Sequence, residues 1–234
     1  MVEFLFLDLD DTILDFHKAE AVALSKTLTD FGISPTEENL RTYSAINKAH
    51  WERLERREIT RSELQVSRFV TFLAVIGADA PGEAVARAYE ENLSHGHYFL
   101  PGAKEALDAL RGRYRMFLLS NGNAKVQDGR LASAGILPYF ENVFISERVG
   151  ADKPSREFFG RCTARIPGYA PEKALMVGDS LSSDILGGIN AGLPTCWVNP
   201  CHKPHPENIT PDYQIEGLSQ LPELLQKVNR EDAP

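Results

Sequence analysis

The chain has 234 residues, 43% of them hydrophobic and 9% aromatic, so it is long enough to bury a core larger than that of one small domain. Its 33 acidic and 25 basic side chains give a formal net charge of -8, which excludes a general attraction to nucleic acid or anionic membranes. No stretch approaches the ~20 apolar residues of a membrane span, and the short apolar start lacks the basic segment of a secretory leader. We therefore expect a cytoplasmic protein, monomer or homodimer, whose partner is a small molecule.

Short apolar runs alternate with helical patterns along most of the chain. The runs predict strands at residues 3–7, 116–120, 143–146, 174–178, 195–198 and, more weakly, 213–215. The helical patterns cover residues 103–110, 124–134, 156–164, 184–191 and 218–228. Near-continuous apolar strands separated by helices favour a parallel sheet covered on both faces, which is a doubly wound α/β core.

Residues 16–97 interrupt this alternation with four helical patterns and no convincing strand. Two hydroxyl-to-glutamate spacings, Ser34 to Glu37 and Thr60 to Glu63, match capping boxes at helix starts, and Pro81 suits the first turn of another helix. We predict a core domain of residues 1–15 and 98–234, with a small helical cap domain of residues 16–97 inserted after the first core strand.

The first predicted strand, in "FLFLDLDDTIL", runs directly into a group of acidic residues. Side chains alternate faces in an extended segment, so Asp8 and Asp10 share a direction if the strand geometry persists through Leu9. Parallel α/β sheets bind ligands outside the carboxyl ends of their strands, which is where both acids fall. Two carboxylates this close repel unless a cation lies between them or one takes a proton.

Other predicted strands end in complementary polar groups. The segment "LLSNG" supplies Ser120 and Asn121 as small donors for an anionic oxygen, and "VGADKPS" supplies Lys153 as a compact cation. The segment "MVGDSLSSD" adds Asp179 at a strand end and Asp184 near the start of the next helix. Because all of these strand ends meet at one edge of a parallel sheet, we expect the side chains to converge on one crevice.

This set of side chains suits phosphoryl transfer. Its oxygen ligands, with no His or Cys at metal spacing, favour Mg²⁺ over zinc. One carboxylate can attack phosphorus to give an aspartyl phosphate, while a second protonates the leaving oxygen and then activates water. Mg²⁺, Lys153 and Ser120 would neutralise and position the phosphoryl group, with Asn121 as a further phosphate ligand.

In motif order the sequence resembles the haloacid dehalogenase superfamily of phosphohydrolases, with "DLDDT" as first motif, Ser120 as second, Lys153 as third and "GDSLSSD" as fourth. The resemblance implies that Asp8 is the nucleophile and a Mg²⁺ ligand. It implies that Asp10 is the general acid and base and lends its backbone carbonyl to the metal. It further implies that Asp179 is a metal ligand supported by Asp184, that Thr12 steadies the first loop, and that the inserted helices close over the active site.

Three longer segments resemble bacterial nucleoside 5′-monophosphatases that prefer pyrimidines, namely "AINKAHWERLERREITRSELQVSRF", "FISERVGADKPS" and "DILGGINAGLPTCWVNP". The resemblance implies a nucleoside monophosphate as substrate. In the first segment Trp51 could stack on a base, and Asn47 and Arg68 could contact a nucleotide, although residues at helical spacing more often belong to a core.

Several alternatives stay open. A sugar-phosphate phosphatase or mutase would share the motifs, and a phosphonate hydrolase would be expected to use a cap lysine such as Lys18 or Lys48. A haloacid dehalogenase shares the fold but typically lacks an acid at the position of Asp10, so Asp10 and Asp179 favour phosphate. A signalling receiver domain also gathers acids, a hydroxyl and a lysine at strand ends, but here the last acidic pair follows the lysine, and a receiver has no cap.

Overall fold

The computed structural model describes residues 1–231. Contacts divide the chain into two compact units. The core unit contains Met1–Phe16, His97–Gln127 and the chain from Ala134 onward, and the helical unit contains His17–Gly96 and Asp128–Ser133. Among residues 1–231, no helix is both long and apolar enough to cross a membrane.

Within the described residues, six strands of the core unit form one sheet in the order β3-β2-β1-β4-β5-β6, and every neighbouring pair is parallel. This confirms the doubly wound α/β prediction. The strands are β1 (Phe4–Leu7), β2 (Arg115–Ser120), β3 (Asn142–Ile145), β4 (Ala174–Gly178), β5 (Thr195–Val198) and β6 (Tyr213–Ile215).

The α-helices that the described chain contains are, in order, α1 (Phe16–Asp30), α2 (Glu37–Glu55), α3 (Arg61–Ile76), α4 (Gly82–Ser94), α5 (Ala103–Leu110), α6 (Ala124–Ala134), α7 (Ser146–Val149), α8 (Arg156–Thr163), α9 (Leu186–Ala191) and α10 (Leu221–Glu231). The helix predicted from residue 184 begins with a π-helical turn, Leu181–Ile185, before α9. Such turns occur frequently at functional sites.

The central strand β1 is buried along its whole length and fixes where the acidic motif begins. Leu7 pairs with Leu118 of β2 and with Val177 of β4, and the Asp8 amide donates to the Val177 carbonyl at 3.0 Å. The chain therefore leaves β1 at Asp8, beside the carboxyl ends of β2 and β4.

The helical unit is held by an aromatic core. Tyr43 of α2 lies 4.9 Å from Phe69 of α3 between ring centroids, and Phe69 lies 5.1 Å from Tyr89 of α4. Pairs of this geometry contribute about 0.5–1.5 kcal/mol beyond the area they bury.

Two of the three predicted helix starts need correction. The Thr60 capping box is confirmed, since Glu63 accepts from the Thr60 amide at 2.7 Å. The box predicted from Ser34 is wrong, because Thr36 is the N-cap of α2 and its hydroxyl accepts from Asn39. Pro81 is the N-cap of α4 and so lies one position before the first turn.

We expect Gly188→Ala to destabilise the core unit. A Cβ at Gly188 of α9 would lie 2.5 Å from Thr195 Cγ2 and 3.2 Å from Met176 Cβ. Thr195 cannot move aside easily, because its amide and hydroxyl both donate to Asp212. Overpacking of this kind costs about 1–3 kcal/mol, measurable by urea unfolding.

Gly160→Ala is the matched control. A Cβ at Gly160 of α8 meets nothing within 4 Å. The substitution should therefore stabilise the protein by up to about 1 kcal/mol through helix propensity. Equal effects at the two glycines would contradict the close packing of α9 on the sheet.

Candidate active site

The acidic motif after β1 folds into a tight loop. The amides of Ile13 and Leu14 both donate to the Leu9 carbonyl, at 3.0 and 2.9 Å. Asp11 takes a positive φ of 57° and its carboxylate accepts from the Phe16 amide at 2.9 Å. The loop therefore has its own hydrogen bonds, which hold Asp8 and Asp10 at the end of the strand.

Lys153 binds the Asp8 carboxylate directly. Its buried ammonium donates to Asp8 Oδ1 at 2.6 Å, to Asp184 Oδ1 at 2.6 Å and to the Leu119 carbonyl at 2.8 Å. Burial alone would lower the pKa of Lys153, but Asp184 and Asp8 outweigh it and raise the pKa, so the side chain stays charged. All three of its N–H donors have acceptors, as a buried cation requires.

Asn121 fixes the backbone from which Lys153 extends. Its side-chain amide donates to the Lys153 carbonyl at 2.8 Å, and its side-chain oxygen accepts from the Lys153 amide at 2.9 Å. The Asn121 side chain is therefore engaged with protein, and a phosphate contact at this residue would have to come from its backbone N–H.

Asp8, Asp179 and Asp184 offer carboxylate oxygens that all lie within 4.8 Å of one another. Burial is the largest cause that raises the pKa of Asp8, and Asp184 and Asp10 add to it while Lys153 opposes it. Burial followed by repulsion from Asp184 and Asp8 raises the pKa of Asp179. A divalent cation would relieve this repulsion, and an all-oxygen set of this kind suits Mg²⁺.

The approach of Asp184 to the sheet depends on Gly178. A Cβ at Gly178 would lie 2.2 Å from Asp184 Oδ2, so any side chain there would displace the carboxylate. The Ser180 amide donates to the same Oδ2 at 3.1 Å, and the indole of Trp197 donates to the Asp179 carbonyl at 2.8 Å. The fourth motif is thus held by its own backbone and by β5.

Asp10 and Ser120 are joined by a residue that the sequence did not single out. The Gln127 side-chain nitrogen lies 2.7 Å from Asp10 Oδ2 and 2.9 Å from Ser120 Oγ. Gln127 follows Ser120 by only seven residues, but α6 has no pattern that marks this side chain as inward-facing and polar.

Thr12, expected to steady the first loop, is fully buried. Among the described residues its hydroxyl finds no hydrogen-bond partner. That Thr12 steadies the loop stays a prediction, and packing is the contact through which it would act.

Two of the three proposed substrate contacts in the helical unit, Asn47 and Arg68, form part of a buried network. Asn47 donates to Glu20 at 2.7 Å and accepts from the Arg68 guanidinium at 2.7 Å. Trp51 is half-buried, with the Arg61 guanidinium carbon 5.7 Å from its ring centroid. Glu20 was not singled out from the sequence, since one acid in a helix has no distinguishing spacing. Substrate contact by Asn47, Trp51 and Arg68 stays a prediction.

Comparison with known proteins gives consistent matches over most of the chain. Residues 2–192 match the model of the haloacid dehalogenase-like hydrolases. The pyrimidine 5′-nucleotidase PynA of Streptococcus pneumoniae is 38% identical over 226 residues, which cover 96% of this chain and 95% of PynA. The pyrimidine 5′-nucleotidase YjjG of Escherichia coli is 35% identical over 228 residues, which cover 96% of this chain and 98% of YjjG.

A solved structure supports the same assignment. The crystal structure of the HAD-hydrolase YfnB from Bacillus subtilis, bound to magnesium, matches with a TM-score of 0.91 and 38% identity. The match covers 96% of this chain and 98% of YfnB.

We expect Lys153→Met to lower the free energy of unfolding strongly. The substitution leaves the buried Asp8 and Asp184 without their shared cation, and breaking a buried ion pair from one side costs about 3–5 kcal/mol. Urea unfolding in the presence of a chelator measures the loss.

Lys173→Met is the control for this loss. Lys173 is half-exposed and lies 3.5 Å from Glu3, an ion pair of the surface type worth at most about 1 kcal/mol. Similar losses for the two lysines would show that the buried cluster does not depend on the Lys153 charge.

Proposed function

Because this chain belongs to the haloacid dehalogenase-like hydrolase family, we propose that it is a Mg²⁺-dependent phosphomonoesterase that acts on nucleoside 5′-monophosphates and prefers pyrimidines. The observation that carries the proposal is the buried Asp8 carboxylate, held by Lys153 beside Asp179 and Asp184. A second carboxylate, that of Asp10, is held separately by Gln127. The proposed substrate is a small phosphorylated metabolite and not a nucleic-acid polymer.

Asp8 is the nucleophile in this proposal. Its hydrogen bond from Lys153 fixes the orientation of the carboxylate, and the cation favours its ionised form. An Asp8 oxygen forms a bond to phosphorus while the bond between phosphorus and the leaving oxygen breaks, which gives an aspartyl phosphate. Splitting the hydrolysis in this way replaces one difficult step by two easier ones.

Asp10 moves the protons. It gives a proton to the leaving oxygen in the first step, which avoids release of a strongly basic alkoxide. In the second step it takes a proton from water, whose oxygen bonds to phosphorus as the Asp8 oxygen departs. Asp10 is then protonated again, so the cycle closes with water as its sole co-reactant.

Ser120, Lys153 and the backbone N–H of Asn121 are the proposed phosphate-binding groups. Ser120 ends β2 and Lys153 lies in the loop before α8, and both are almost completely buried and shielded from bulk water. Because the three N–H donors of Lys153 already have acceptors, its part is to attract the phosphate by charge, while Ser120 and the Asn121 backbone donate hydrogen bonds.

Asp8, Asp179 and Asp184 are the side chains that would hold Mg²⁺, together with the Asp10 backbone carbonyl. Bound Mg²⁺ supplies charge neutralisation for the acids and for the phosphoryl oxygens. Because Lys153 already pairs with Asp8 and Asp184, the protein can keep this acidic set folded before the cation arrives.

The substrate proposal rests on the named relatives and on how far they match. PynA and YjjG align with 96% of this chain, so the similarity includes the helical unit as well as the core. We assign residues 16–97 as the cap domain that selects the substrate and residues 1–15 and 98–234 as the catalytic core. Asn47, Trp51 and Arg68 are its candidate selective residues.

We expect Asp8→Asn to lower phosphate release by more than about 10³-fold, because an amide is nearly isosteric but a poor nucleophile. The assay compares pyrimidine and purine monophosphates, a sugar phosphate, a phosphonate and a haloacid, each with Mg²⁺ and with chelator. Asp79→Asn, an exposed change in the helical unit, is the control and should keep wild-type rates. Thermal unfolding checks that each variant is folded.

The same set of substrates tests the reaction chemistry and the substrate assignment separately. Fastest release from pyrimidine monophosphates supports the full proposal. Faster turnover of the sugar phosphate keeps the aspartyl-phosphate chemistry and overturns the nucleotide assignment. Halide release that resists the chelator, or near-normal activity of Asp8→Asn, overturns the mechanism itself.

We expect Mg²⁺ to stabilise the folded protein by mass action. At a Mg²⁺ concentration 100 times the Kd, the gain is about 2.7 kcal/mol, which thermal unfolding detects without any substrate. Asp179→Asn should show a much smaller gain, because it removes one of the three clustered carboxylates. NaCl at matched ionic strength is the control, and an equal gain in wild type and Asp179→Asn would place the cation elsewhere.

A further inference from the structure

We propose that Gln127 is a positioning residue that orients the Asp10 carboxylate and the Ser120 hydroxyl for the reaction. The inference rests on the proposed function, in which Asp10 is the acid and the base. Gln127 lies on α6 and is 3% exposed, and its side-chain nitrogen is 2.7 Å from Asp10 Oδ2 and 2.9 Å from Ser120 Oγ.

A glutamine amide has two N–H donors, and here each has an acceptor in the proposed site. The amide nitrogen, which donates, faces the Asp10 carboxylate and the Ser120 hydroxyl oxygen, which accept. The backbone at Gly122 secures this arrangement. A Cβ at Gly122 would lie 2.7 Å from Gln127 Cγ and 2.8 Å from Gln127 Nε2. Only glycine at this position therefore leaves room for the Gln127 side chain to approach Asp10 and Ser120.

The hydrogen bond from Gln127 restrains the orientation of the Asp10 carboxyl group. The same amide nitrogen also lies within hydrogen-bond distance of Ser120 Oγ, so one side chain ties the proposed acid and base to a proposed phosphate-binding hydroxyl. Loss of the amide would remove this restraint on rotation of the Asp10 carboxyl group, and a misplaced acid transfers its proton more slowly.

In the first step the proton of Asp10 goes to the leaving oxygen as its bond to phosphorus breaks and the bond from Asp8 forms. In the second step Asp10 takes a proton from water as the water oxygen bonds to phosphorus and the Asp8 oxygen departs. Electrons and protons balance with water alone. Gln127 touches no reacting atom and acts through Asp10.

The proposal predicts that the effect of a Gln127 substitution on kcat/KM depends on the leaving group. A nucleoside monophosphate or a sugar phosphate leaves as an alkoxide that needs a proton, whereas p-nitrophenyl phosphate leaves as a stable phenolate that does not. The test compares kcat/KM for the better alkyl substrate, UMP or ribose 5-phosphate, with that for p-nitrophenyl phosphate. Using kcat/KM restricts the comparison to steps up to departure of the leaving group.

The alkyl-to-aryl ratio is kcat/KM for the alkyl substrate divided by kcat/KM for p-nitrophenyl phosphate. Gln127→Leu should lower this ratio by about tenfold or more, because general acid catalysis contributes about 10²–10⁴-fold and the variant loses part of it. Gln127→Glu keeps the shape and removes both N–H donors, so it should shift the ratio in the same direction even if the leucine variant fails to fold. Lys125→Leu, an exposed change on the same helix, should leave the ratio unchanged.

A double-mutant cycle separates positioning from packing. Asp10→Asn should itself lower the ratio, and adding Gln127→Leu to it should lower the ratio no further, since the two residues act as one unit. An unchanged ratio in folded Gln127 variants, or a fully additive loss in the double variant, overturns the assignment of Gln127 while the proposed function stands. Normal phosphate release by Asp8→Asn overturns both.

Discussion

The ion cluster of Lys153 with Asp8 and Asp184 is the interaction on which the rest of the site depends. Carboxylates so deeply buried and so close together repel each other, and their desolvation is costly. One ammonium with three acceptors, two of them carboxylates, offsets that cost. The Asn121 side chain holds the backbone of Lys153, and Gly178 leaves room for Asp184, so both residues support this charge balance through contacts outside the proposed chemistry.

The sheet topology is what brings the cluster together. Lys153 and Asp8 are separated by 145 residues in the sequence, and Lys153 and Asp184 by 31. In the order β3-β2-β1-β4-β5-β6, the strand carrying Asp8 lies between the strands that precede Asn121 and Asp179. Parallel pairing puts all of their carboxyl ends at one edge, so polar residues placed just after each strand meet there.

The features predictable from the sequence were those marked by hydrophobic periodicity or by a fixed spacing of residues. The strands β4 and β5 are buried along their whole length and begin and end where the apolar runs do, because a strand buried on both faces leaves a continuous apolar signal. Helix starts were less secure, since Ser34 and Thr36 are both acceptable N-caps and local spacing does not rank them.

Side-chain partners were the least predictable part of the site. The Asn121 amide could equally have faced a ligand, and Gln127 and Glu20 have no motif around them. Their partners are fixed by tertiary packing between elements far apart in sequence, such as Gln127 and Asp10, which are 117 residues apart, and periodicity carries no such information.

The hydrogen-bond partners explain how two nearby carboxylates can have different roles in the proposed reaction. Asp8 is bound by a cation, which favours the ionised form that a nucleophile requires, whereas Asp10 accepts a hydrogen bond from the neutral amide of Gln127. The proposed nucleophile and the proposed acid and base therefore differ in the partner that the fold gives each of them.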